Sequence, residues 1–172
     1  MGGEEYIRIV DLFYEDIMKI SFAICKDIYD AEDIAQTTFI KLLNHSGDFD
    51  DDYHVKRWLI KVAVNECRIL WKSPWKSKVD YFIPEKSVQS KGRNDEEELV
   101  SEAVGSLKKK YREVVHLFYY EEYSAKEIAE ILDIKENAVF KRLQRVREII
   151  KKYLLDKSSR EEIGETGYEC KL

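Results

Sequence analysis

Apolar residues return every three or four positions along most of this chain, the spacing that gathers them on one face of an α-helix. Ile9, Leu12, Phe13, Ile17, Ile20 and Ile24 predict a helix over residues 7–28. Asp30 offers an N-cap, with Asp33 three positions on, and Ile34, Ala35, Phe39, Leu42 and Leu43 predict a second helix to about residue 44. Residues 47–52 are acidic and turn-like. A third helix follows over residues 55–72, with Trp58, Leu59, Val62, Ala63, Ile69 and Leu70 as its stripe. Ser73-Pro74 closes it, because the residue before a proline avoids the helical region.

The periodicity lapses to about residue 93, where Pro84, Ser87, Ser90 and Gly92 lie among scattered charges. A structureless stretch of that length is unusual inside one compact domain and argues for a linker between two lobes. Helical spacing returns over residues 95–104 and 108–120. The expectation is an all-α protein of two small helical domains: residues 1–73, a flexible linker at 74–94, a second lobe at 95–155, and a loose polar tail at 156–172.

The clearest local signal lies between Tyr123 and Tyr153. Ser124-Ala125-Lys126-Glu127 has the form of a capping box, in which serine and glutamate each satisfy an orphan amide at a helix start. Ile128, Ala129, Ile131 and Leu132 follow, and Asp133 stands at a turn that favours left-handed backbone. A further helix begins near Lys135, with Val139, Leu143, Val146 and Ile150 on its inner side. A short capped helix, a tight turn and a longer basic helix make a helix-turn-helix. Its outward face would carry Glu136, Asn137, Phe140, Lys141, Gln144 and Arg145, with Lys135 at its start. Arginine can hold guanine through two hydrogen bonds, glutamine or asparagine can hold adenine the same way, and an apolar group can meet a thymine methyl. Arg142, Arg147, Lys151 and Lys152 are placed to hold phosphates. For Phe140, widening of the core stripe is an equal alternative.

Charge changes the picture by its distribution. The 172 residues carry a formal net charge of −5, the wrong sign overall for a nucleic-acid binder. Yet residues 56–78 hold seven bases against Glu66 alone, and residues 135–152 hold seven bases against Glu136 and Glu148. Residues 1–44 are acidic, with nine acids and four bases. This separation suits two contacts with DNA and a protein partner elsewhere. The three cysteines (Cys25, Cys67, Cys170) and three histidines (His45, His54, His116) are too scattered for a zinc site. No phosphate-binding glycine loop, nucleophile motif or convergent carboxylate pair is present, so neither catalysis nor a cofactor is expected. No apolar run approaches a membrane span and no basic-then-apolar leader opens the chain, so the expectation is a cytoplasmic protein.

Two stretches together resemble the extracytoplasmic-function (ECF) group of bacterial sigma factors. The first is Asp30-Ala31-Glu32-Asp33-Ile34-Ala35-Gln36-Thr37-Thr38-Phe39 followed by Trp58-Leu59-Ile60-Lys61-Val62-Ala63-Val64-Asn65, which is similar to the family's region two. The second runs from Tyr111-Arg112-Glu113-Val114-Val115 through the helix-turn-helix to Arg147, which is similar to region four. The resemblance implies a factor that lends core RNA polymerase its promoter specificity. Region two would bind a coiled coil of the largest subunit through Asp33, Gln36 and Thr37. It would open the minus-10 element with Arg57, Trp58, Lys61 and Asn65, and a loop with Phe49 and Tyr53 is a candidate base pocket. Region four would read the minus-35 element through Phe140, Lys141, Gln144 and Arg145 and dock on the polymerase flap. An anti-sigma factor is a further partner of this group.

Several positions depart from the family pattern. The loop Asp48-Phe49-Asp50-Asp51-Asp52 is acidic for a DNA-facing loop. Ile69 replaces a frequent aspartate, Lys108 a frequent proline, Asp133 a frequent glycine, and Asn137-Ala138 a frequent Gly-Thr. The alternative is a conventional helix-turn-helix regulator acting without polymerase, which accounts for the second lobe but not for the basic segment at 56–78.

Overall fold

The computed structural model describes residues 2–72 and 95–165, with side chains placed for 2–72 and 99–157. The expected linker at 74–94 and the last residues of the tail lie outside them. Every element among the described residues is helical, apart from turns and loops. They are α1 (Gly3–Cys25), α2 (Ile28–Leu43), α3 (Asp52–Lys72), α4 (Asp95–Gly105), α5 (Lys109–Val115), α6 (Ala125–Leu132) and α7 (Glu136–Glu165). A wider π-turn, His116–Tyr120, continues α5. No helix among the described residues is long and apolar enough to cross a membrane.

The first lobe is a bundle of α1, α2 and α3. Ile9, Phe13, Ile17, Ile20 and Ile24 of α1 are buried with Ile34, Ala35, Phe39 and Leu42 of α2 and Val55, Leu59 and Ala63 of α3. Burial of such aliphatic side chains is the main driving force of the lobe, at about 1.5–3 kcal/mol each. The break between α1 and α2 falls earlier than the pattern suggests. Lys26 turns left-handed (φ 61°), and Asp27 caps α2 by accepting a hydrogen bond from the Asp30 amide at 3.0 Å. Asp30 therefore lies inside the helix. Both aspartates can cap, and the chain reversal at Lys26 selects the first.

Three residues expected on apolar stripes are on the outside. Leu12 is 50% exposed, Leu43 57% and Ile69 60%. Leu12 and Leu43 each sit one turn from a buried residue, Ile9 and Phe39, but on the far shoulder of the stripe, and Ile69 lies near the end of α3 among exposed and half-buried neighbours. Spacing alone does not tell how wide the covered face is.

In the second lobe, α4, α5 and α6 all pack on α7. Ser106 Oγ donates to the Ala103 carbonyl at 2.7 Å, closing α4. The π-turn lets the Glu121 amide reach back five residues to the His116 carbonyl (3.1 Å), and Tyr123 reaches Leu117 (3.0 Å). This widened turn ends α5 and aims the chain into the helix-turn-helix. Helix α7 continues to Glu165, well into the segment expected to be loose. Lys157, Arg160, Glu161 and Glu162 favour a helix and no proline interrupts them.

Candidate nucleic-acid interface

The helix-turn-helix forms as its residues dictate. The Glu127 amide donates to Ser124 Oγ (3.3 Å), and the Ser124 amide and hydroxyl donate to Glu127 Oε2 (2.9 and 2.6 Å). These bonds, with the Tyr53 hydroxyl, hold the Glu127 carboxyl down to about 2. Asp133 takes the left-handed cap of α6 (φ 52°), the conformation its short polar side chain tolerates. Ile128, Ile131 and Leu132 of α6 and Val139, Leu143 and Val146 of α7 are buried, which fixes how α7 is presented.

The outer face of α7 is open. Lys135, Glu136, Asn137, Phe140, Lys141, Gln144 and Arg145 are all exposed. Phe140 is 53% exposed beside fully buried Val139, so it does not widen the core stripe. Gln144 and Arg145 both turn toward Glu148, at 3.3 and 2.8 Å. That exposed i,i+3 pairing is weak and can yield to a base edge. Arg142 differs: it is half-buried and its guanidinium lies 3.7 Å from the buried Glu113 carboxylate.

On α3, Lys61 and Asn65 are exposed one turn apart. Arg57 is half-buried and donates to Glu130 of α6 at 2.6 Å. Trp58 is half-buried and packs against the core, with the His45 and Phe49 rings 4.7 and 5.8 Å away. Phe49 also meets His54 edge-on at 5.4 Å. The acidic loop thus folds its one aromatic side chain inward into a cluster with His45, His54 and Trp58, while Tyr53 turns toward α6. On α2, Asp33 and Gln36 are exposed and Thr37 is half-buried. They share their face with Ile40, 56% exposed. With Tyr29 and Leu43, also exposed, this gives α2 apolar surface beside its acids. The sequence did carry a signal for it: Ile40 falls off the inner stripe.

Sequence reasoning missed the charged residues between the lobes. Arg68 of α3 donates from Nε and Nη2 to the two carboxylate oxygens of Glu113 on α5, at 3.0 and 2.9 Å. Lys56 Nζ lies 2.8 Å from Asp16 and 2.9 Å from Glu121. Burial alone would lower the Lys56 pKa, but the two carboxylates outweigh it and raise it. The His116 imidazole at 3.4 Å and the Lys56 ammonium hold the Glu121 carboxyl to about 2, against the opposing effect of burial. Among the described residues no group of three or more His, Cys, Asp or Glu side chains could hold a metal ion. Cys25 and Cys67 are free thiols.

An open, basic second helix of a helix-turn-helix, packed beside a helical bundle with a cation-bearing helix of its own, has the form of a DNA-binding protein. Comparison makes the class specific. Residues 9–76 match sigma-70 region 2, and residues 97–150 match sigma-70 region 4. The ECF RNA polymerase sigma factor SigW of Bacillus subtilis (strain 168) is 30% identical over 174 residues, spanning 89% of this chain and 90% of the relative. SigM of the same organism is 29% identical over 151 residues, spanning 81% of this chain and 91% of SigM. The fold is also that of the sigma factor RpoE in its co-crystal structure with the anti-sigma factor NepR from Bartonella quintana. That likeness has a TM-score of 0.68 at 19% identity and covers 88% of this chain and 97% of the other. The chain belongs to the ECF sigma factors of the sigma-70 family.

Proposed function

We propose that this ECF sigma factor directs core RNA polymerase to promoters by dividing the work between its lobes. Residues 1–73 act as region two, 74–94 as the linker, 95–155 as region four, and 156–172 as an appended tail. The observation that carries the reading is the presence, in one chain, of both family-matched segments, each with its own cationic helix. A conventional regulator would leave residues 9–76 without a role.

In this reading the exposed face of α2 binds the coiled coil of the largest polymerase subunit. Asp33 supplies charge, Gln36 and Thr37 hydrogen bonds, and Ile40 apolar contact. On α3, Arg57 and Lys61 hold the backbone of the opening strand and Asn65 pairs with a base. Phe49 and Trp58 shape the adjoining pocket from within. On α7, Lys141, Gln144 and Arg145 read base edges of the minus-35 element in the major groove, Phe140 meets a thymine methyl, and Lys135 and Arg142 hold phosphates. Glu136 and Asn137 lie at the groove entrance. Region four also docks on the polymerase flap, and an anti-sigma factor would compete for these surfaces. The protein acts in the cytoplasm as an initiation factor rather than as an enzyme. The reading is tested by mixing the full chain with sigma-free core polymerase and resolving the assembly by size-exclusion chromatography. Co-elution in equal amounts is expected, and elution of the chain alone would overturn it.

A further inference from the structure

Helices α1 and α3 pack side by side and run in the same direction. Arg8 near the start of α1 holds Asp52 at the start of α3, at 2.9 and 2.7 Å. Further along, Asp16 lies 2.8 Å from Lys56 Nζ. At the far end both helices are tied to neighbouring residues of α5. Arg112 donates to the Ile24 carbonyl at 2.6 Å, and Glu113 accepts from Arg68 at 3.0 and 2.9 Å. Beside these two anchors stand Cys25, the last residue of α1, and Cys67 of α3. The packing of α5 thus draws the two thiols together.

The Cys67 thiol hydrogen-bonds with Cys25, and that bond, together with burial, pushes the Cys67 thiol up and holds it protonated. Cys67 is fully buried and Cys25 half-buried, so solvent reaches one sulfur of the pair and not the other. One turn before Cys25, the fully buried Ser21 hydroxyl has no hydrogen-bond partner among the described residues. Positions 21 and 25 share a helix face, so an oxygen added to the Cys25 sulfur has a hydroxyl nearby. Nothing in the promoter reading uses these three side chains.

We propose that Cys25 and Cys67 form a site of reversible oxidation by hydroperoxides, closing to a disulfide within the folded first lobe. The more accessible sulfur reacts first. An oxygen of the hydroperoxide bonds to Cys25 Sγ as the O–O bond breaks, leaving a sulfenic acid and releasing water or an alcohol. Cys67 Sγ then attacks the Cys25 sulfur. The S–S bond forms, the S–O bond breaks, and the hydroxyl leaves as water with the Cys67 proton. Two thiols are oxidised, and the hydroperoxide takes the two electrons. The disulfide stays apolar inside the lobe, whereas Cys25 without a partner would go on to an anionic sulfinic acid against the core. The new bond staples the end of α1 to α3 and closes a loop of about 40 residues, so the stability of the first lobe follows the thiol redox state around it.

The test uses the full chain with Cys170→Ser, which leaves the pair as its thiols. The folded, reduced protein is treated with a small molar excess of hydrogen peroxide. Intact mass spectrometry should show the loss of two hydrogen atoms, and peptide mapping should link Cys25 to Cys67. Dithiothreitol should restore both thiols. The oxidised chain should melt about 10 °C above the reduced one. With Cys67→Ala added, and its fold checked by circular dichroism, the same treatment should add oxygen to Cys25 and give no rise in melting temperature. Oxygen added at Cys25 without the link, in the chain that keeps Cys67, would overturn the proposal. So would an unchanged mass, a link between two chains, or a link that forms only in denaturant. Each readout is independent of polymerase and DNA, so failure here is distinct from failure of the promoter reading.

Discussion

Arg68 on α3 and Glu113 on α5 are joined by two parallel hydrogen bonds, 45 positions apart in the chain. The Glu113 side chain is only 3% exposed, and Arg142 of α7 approaches the same carboxylate. One buried anion thus ties α3, α5 and α7 together. The arginine pKa is raised, first by the hydrogen bond to Glu113, against the opposing cost of burial. Glu113→Gln should leave two partly buried guanidinium groups uncompensated and lower stability by about 3 kcal/mol. Denaturant unfolding of the two proteins measures this. A loss within experimental error would mean that the pair is structurally idle.

The depressed carboxyls predict acid sensitivity. Glu121 and Glu127 are both held to about 2 in the folded chain, below the roughly 4.3 of an unfolded glutamate. A depressed folded value stabilises above the unfolded value and is lost as pH falls through the folded one. The melting temperature should therefore hold above about pH 4.5 and drop steadily toward pH 2. Glu121, 9% exposed, should contribute more than the solvent-screened Glu127. In Glu121→Gln the melting temperature should be lower at neutral pH and fall less on acidification. Parallel pH profiles for the two proteins would contradict this.

Arg145 and Arg147 provide a contrast on one helix. Arg145→Ala should relax base preference at one upstream position, at a cost on the order of 1–3 kcal/mol. Arg147, whose Nε donates to the Tyr119 hydroxyl at 3.3 Å, is placed for phosphate or for packing. Its alanine variant should weaken all promoters about equally. Binding of polymerase holoenzyme to a set of single-base promoter variants separates the two. A uniform loss for Arg145→Ala would remove it from the base-reading set.

The exposed face of α2 makes a prediction of its own. Asp33→Ala with Gln36→Ala should weaken binding to core polymerase while leaving the melting temperature unchanged, because neither side chain is buried. Ile40→Ala should do the same, since its exposed surface contributes to binding and little to the fold. Titration of labelled core polymerase provides the measurement. Unchanged affinity in both variants would place the polymerase contact elsewhere.

Local rules made most of the fold legible. Helical spacing located every helix, and the Ser124–Glu127 box and the left-handed Asp133 were readable because each depends on neighbours no more than four positions away. Spacing failed where a helix keeps apolar residues for outside use, as at Leu12, Leu43 and Ile69. It also failed at the π-turn, whose bonds leave no periodic trace. The contacts between the lobes were not legible at all. Tyr53 and Glu127 are 74 positions apart, Arg57 and Glu130 73, and no local pattern marks such partners. In the candidate site, the outward face of α7 followed from helical geometry. The engagement of Arg57 and Arg142 by acids depends on tertiary packing and did not.

The central claim is that this chain gives core polymerase its promoter specificity, and in vitro transcription tests it most directly. Fragmented genomic DNA of the source organism would be transcribed by sigma-free core polymerase with and without the full chain. The account predicts new transcripts, present only with the chain, whose start sites share two spaced upstream elements. No new transcripts from any fragment, with folded protein and active core, would contradict it.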